Sequence, residues 1–132
     1  MMSFERISRA VMQRACALAS ERGFAVSVCV VDDAGLLRQF IRMDQAVAGT
    51  IDVSVKKART AALFGVDSID LGESAQPGGA IYTLENTNGG LISFGGGIVL
   101  RGADGEVLGA VGVAGATVEQ DQSIALAAAG GV

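Results

Sequence analysis

The chain has no histidine and no tryptophan, one tyrosine, one proline and two cysteines in 132 residues. Each shortage removes a class of chemistry. Without histidine, no serine–histidine or cysteine–histidine pair exists, and the commonest metal ligand is absent. Cys16 and Cys29 lack the close spacing of a zinc site and lie in apolar segments, which reads as two reduced core thiols. Few aromatics, a net charge of −4 and no basic run argue against nucleic acid as a partner. No apolar stretch has the length of a signal sequence or a membrane span, so the chain reads as cytoplasmic, with no membrane partner.

What is present points to one well-packed domain over residues 1–132. Half of the residues are hydrophobic and 18% are charged, a balance that supports a core rather than disorder. Phe4, Ile7, Val11, Ala15 and Leu18 recur at helical spacing, with Ser3 as N-cap and Gly23 as stop. Residues 24–32 read as a buried strand; Asp33-Ala34-Gly35 is a turn, and 36–44 a second strand. A helix follows from about Ala46 to Phe64, closing on Gly65, and a short one over Ser68 to Ser74. Residues 76–88 read as a loop. Strands are expected over 91–94, 96–101 and 106–114, then a last helix capped by Thr117, whose partner Gln120 completes a capping box. Successive hairpins with helices packed on them give an α+β layer fold.

Several polar residues stand where apolar ones are expected. On the last helix Asp121 shares a stripe with Thr117, Val118, Ile124, Ala125 and Ala128, while Glu119 lies roughly 200° round the axis. Lys57 and Thr60 share a helix face with Val53 and Phe64, opposite a core-like stripe of Ile51, Val55, Ala58 and Ala62. Lys57 suits either an acidic ligand or Asp121. Arg42 ends the second strand, and Asp44 reads as the N-cap of the helix that follows. Gly109, Gly112 and Gly115 leave bare backbone where a neighbour or ligand can approach. The triplet Gly95-Gly96-Gly97 lacks the βαβ setting of a dinucleotide fingerprint.

In combination, VVDDAG at 30–35, RMDQA at 42–46, KKARTA at 56–61, GGGIVL at 95–100 and GVAGATVEQDQSIA at 112–125 resemble the GlcG/HbpS-like family of haem-binding proteins. The resemblance spans nearly the whole chain. It implies a profilin-like α+β domain with a five-stranded antiparallel sheet flanked by helices, assembled as a homo-oligomer (tetramer or octamer). It also implies haem as cofactor, or another small-molecule ligand. The family's recurrent polar positions fall on Arg42, Asp44, Lys57, Thr60, Glu119, Gln120 and Asp121. Three departures are visible: Val99 replaces a common proline, Ala114 replaces the serine of GVSG, and no histidine is available as an axial ligand. Haem would then be held by Thr60, Lys57, Tyr82, a cysteine, a methionine, or by apolar contacts and propionate anchoring. The residues also fit a second function: an enzyme or accessory binder for a small carboxylated or enolic metabolite in a catabolic pathway. There Lys57 and Arg42 would anchor the anion, and Asp121 or Glu119 would act as general base.

Overall fold

A computed structural model describes residues 3–130; of the expected domain over 1–132, residues 1, 2, 131 and 132 lie outside the described residues. The elements run α1 (Phe4–Glu21), β1 (Ser27–Asp32), β2 (Leu37–Arg42), α2 (Thr50–Phe64), α3 (Ser68–Ala75), β3 (Gly97–Arg101), β4 (Val107–Ala114) and α4 (Val118–Ala129), with a 3-10 turn at Leu84–Asn86. Ser3 caps α1 by accepting from the Arg6 N–H, and Thr117 caps α4 by accepting from the Gln120 N–H. Gly65 ends α2 in the left-handed region at φ 68°, where a side chain would be strained.

The four strands form one antiparallel sheet in the order β2-β1-β4-β3. Strand alternation sends Val28, Val30, Ile98, Leu100, Val111 and Val113 to one face, where α1 and α4 cover them through Val11, Ala15, Ala19, Ile124, Ala125 and Ala128. Cys29, Val31, Val99 and Ala110 face the other way, against Ala58, Ala61 and Ala62 of α2. The sheet therefore lies between two helical layers. Burial pushes the Cys29 thiol up to about 12, which leaves it an inert core group, and partial burial raises that of Cys16 at the core's margin.

The five-stranded sheet expected from the resemblance is corrected to four strands among the described residues, because 91–94 is not a strand. Its backbone donors are taken elsewhere. The Leu91 N–H donates to the Glu85 carbonyl, that of Ile92 to Thr60 Oγ1, and that of Ser93 to the Glu85 carboxylate. Side chains of α2 and of the preceding loop satisfy this segment locally, so it has no need of a sheet partner.

A second correction concerns Asp44. The helix after β2 starts at Thr50 with Gly49 as N-cap, not at Asp44. Residues 43–49 are spent on turns: Ala46 N–H donates to Met43 O, and Arg42 Nε to Ala46 O. The faces of α2 also differ from the expected stripe. Ile51 is exposed, whereas Ser54, Lys57, Thr60 and Ala61 join Ala58 and Ala62 in the interior. Small residues line this contact because the sheet beneath is itself small. A Cβ on Gly112 would collide with the backbone of Ser54 and Ala58, and one on Gly97 with the Lys57 carbonyl. Helix backbone thus packs on sheet backbone, and bulky side chains are pushed to the margins.

Candidate functional site

α2 carries Lys57 on its deepest face, and the side chain runs to the end of the sheet where β3 begins. There Nζ donates to the Val113 carbonyl at 2.8 Å and to Asp121 Oδ2 at 3.1 Å. Asp121 belongs to α4, in the opposite helical layer. Its other oxygen, Oδ1, accepts the Ala116 N–H at 2.9 Å. The ion pair therefore ties the two layers together past the edge of the sheet. Lys57 is 1% exposed and Asp121 3%. Burial lowers the Lys57 pKa, opposed by the charge and hydrogen bond of Asp121.

Glycine makes this passage possible. The Gly96 backbone lies against Nζ, at φ 123°, a conformation that favours glycine. The Gly96 N–H donates to Gln122 Oε1 at 2.8 Å, and its carbonyl accepts from the Val113 N–H. Above the amine stands the Phe94 ring, with Nζ 5.1 Å from its centroid. Thr60, one turn from Lys57, donates to the Lys56 carbonyl and accepts from the Ile92 N–H. Its hydroxyl holds the 91–94 segment down on α2.

The remaining candidates lie apart. Glu119 is exposed on the first turn of α4, on a different side from Asp121. Arg42 is exposed at the end of β2, two strands away from β4, about 10 Å across the sheet. Asp44 is exposed in the turn after it and lines an open cleft of about 410 Å³ with Ser20, Gly23, Phe24, Ala25, Met43 and Gln45. Met43 is half-buried there, its sulfur accepting the Val26 N–H at 3.4 Å. Tyr82 is exposed in the loop before β3. Lys57 and Asp121 are thus brought together, with Thr60 buried one turn along α2 and turned to the 91–94 segment; Arg42, Asp44 and Glu119 are not part of the cluster.

Phe94 and Gln122 belong to this site without having been singled out from the sequence. The available signal was weak: an aromatic beside a glycine triplet, and a glutamine one residue after a buried acid. Among the described residues no cluster of three or more histidine, cysteine or acidic side chains suited to a metal is present, and no buried side-chain nitrogen or oxygen lacks a hydrogen-bond partner.

Comparison with known proteins gives consistent matches. The family model described as haem degrading protein HbpS-like matches residues 5–130. An uncharacterized 15.0 kDa protein of Citrobacter freundii, from the dhaT-dhaS intergenic region, is 39% identical over 110 residues, which is 83% of this chain and 77% of that one. The corrinoid adenosyltransferase PduO of Salmonella typhimurium is 35% identical over 121 residues, 91% of this chain but 34% of PduO. This chain therefore corresponds to about a third of that enzyme. Among solved structures, a complex of PduOC with haem superposes with a TM-score of 0.91 at 32% identity, covering 99% of this chain and 94% of that one.

Proposed function

Because the chain belongs to the HbpS-like family, we propose that it binds haem or a related tetrapyrrole. The observation that carries this reading is the likeness, over 99% of the chain, to a domain whose structure was solved with haem. The buried polar cluster does not fit the ring. Lys57 and Asp121 are bonded to each other, Thr60 has spent its hydroxyl on two backbone groups, and all three are sealed from solvent. The outer cleft beside β2 fits better. Phe24 and Ala25 offer apolar contact, the half-buried Met43 thioether, a known type of haem ligand, becomes available by giving up its contact with the Val26 N–H, and Arg42 lies on the exposed stretch next to it as a propionate anchor. Haem supplies a redox-active iron when bound; the chain supplies the apolar wall, the thioether and the cation.

Titration of the purified protein with haemin tests this assignment. A saturable Soret change is expected, weakened about tenfold in Arg42→Ala. Met43→Ala is expected to alter the spectrum of the bound ring. Absence of a Soret change would overturn the haem reading, and a change indifferent to both substitutions would remove this cleft.

Turnover of a small carboxylated or enolic metabolite is the weaker assignment. It needs Lys57 and Arg42 to converge on one anion, yet they stand on different elements, and Asp121 and Glu119 face different ways.

We also propose that the chain assembles with copies of itself, as a tetramer or octamer. Leu36 and Leu37 on the β1–β2 hairpin are exposed, as are Leu63 and Phe64 at the end of α2, and Leu63 packs against Gly35 of the hairpin. This apolar margin gains from being covered. Light scattering is expected to give a multiple of the chain mass that falls in Leu37→Glu. A monomeric wild-type protein would exclude assembly.

A further inference from the structure

We propose that Lys57 is a reactive amine, gated by Phe94, that condenses with a small uncharged aldehyde. The reading is independent of haem binding and starts from the geometry around Nζ. An ammonium has three protons to place. Two go inward, to the Val113 carbonyl and to Asp121. The third direction is covered by the Phe94 ring. That ring is 46% exposed, so one side chain separates a buried amine from water on this side.

The gate opens without moving the chain. The Phe94 carbonyl is pinned by the Ser68 hydroxyl at 2.7 Å, and the adjoining Gly96 and Gly97 N–H groups are held by Gln122 and Ser68. Only rotation about the phenylalanine side-chain bonds is required, a fast motion for an exposed residue. A fixed backbone beneath a half-exposed ring is the arrangement of a cover rather than of a core residue.

The partner of the amine is already in place for the chemistry. Asp121 Oδ2 lies 3.1 Å from Nζ, and Oδ1 is held by the Ala116 N–H, so the carboxylate is oriented toward the proton it would take. Asp121 accepts one proton from the Lys57 ammonium. The neutral amine turns about its Cε–Nζ bond so that its lone pair faces the ring side and attacks the carbonyl carbon, forming a C–N bond, while the carbonyl oxygen takes the proton back from Asp121. Loss of a second nitrogen-bound proton together with that hydroxyl releases water and leaves a protonated imine, whose remaining N–H and positive charge face the Asp121 carboxylate. No oxidant or reductant enters. Burial favours the neutral amine, in keeping with this role. The pair cancels its own charge, so it offers nothing to an anionic substrate. Displacing one side chain opens only a narrow approach to Nζ, which favours a small molecule.

The chain contains two lysines, Lys56 and Lys57, so the test has an internal reference. Lys56 pairs with exposed Asp52 on the surface of α2. Full-length protein is incubated with acetaldehyde and sodium cyanoborohydride, and the alkylated residues are located by peptide mass spectrometry over time. Lys57 is expected to be modified under native conditions. Its rate relative to Lys56 should rise about tenfold in Phe94→Ala and fall in Phe94→Trp, which enlarges the cover. Equal Lys57 rates in wild type and both variants would overturn the proposal. So would modification of Lys57 no faster than exchange of the Val113 amide, because the amine would then be reached only by unfolding.

Discussion

Lys57→Ala is expected to lower the unfolding free energy by about 3–5 kcal/mol, the usual cost of stranding one member of a buried ion pair. The variant leaves the Asp121 carboxylate 3% exposed with the Ala116 N–H as its remaining partner, and it also frees the Val113 carbonyl. Because Lys57 comes from α2 and Asp121 from α4, the loss falls on the junction of the two helical layers and not on either helix alone. Urea denaturation measures it as a drop in midpoint with little change in slope. The companion experiment is Lys57→Met combined with Asp121→Leu, which removes both charges and keeps apolar volume. That double variant is expected to recover most of the loss, since a buried pair seldom stabilises more than well-packed apolar side chains. Recovery short of the wild type would measure what the Val113 carbonyl and the Ala116 N–H lose. If the single variant kept its midpoint, the pair would have no structural weight.

Gly112→Ala is expected to destabilise by about 3 kcal/mol, at the upper end for overpacking by one methyl group. The added Cβ would meet backbone atoms of Ser54 and Ala58, which cannot swing aside as a flexible side chain would. Relief requires α2 to lift from β4, and that displaces Lys57 from Val113 and Asp121 at the same time. Thermal unfolding should therefore fall in step with access of solvent to Lys57. A contrasting site is Gly105, in the turn between β3 and β4, where a Cβ meets nothing within 4 Å but φ is 80°. Alanine there costs only the strain of a left-handed residue, about 1 kcal/mol. Equal losses at the two positions would mean that close packing is not what holds Gly112.

The same contacts explain what could be read in advance. Asp121, Ile124, Ala125 and Ala128 of the expected stripe are buried, because α4 packs by ordinary helical periodicity, while Thr117 and Val118 at its capped start are exposed. The caps at Ser3 and Thr117 and the stop at Gly65 are local chemistry and were equally legible. α2 was misread for the opposite reason. A helix that packs backbone to backbone buries its small and polar residues, so Ile51 marked the margin and Lys57 the interior. Hydrophobicity along the sequence cannot report that inversion, since its cause is a glycine in a strand far away in the chain. Residues 91–94 failed likewise. Their composition suits a strand, but Glu85 and Thr60 claim the backbone donors first.

By itself the sequence determined the class of the fold, most of its element boundaries, the family and the inward turn of Asp121, because these rest on periodicity, capping and motif order within short stretches. Tertiary structure alone decided that Lys57 is the partner of Asp121, that Arg42 and Glu119 stand outside their cluster, and that Phe94 covers it. Those outcomes depend on how closely two helical layers approach across one thin sheet, and that distance is set by glycines on β3 and β4, which meet α2 only when the chain is folded.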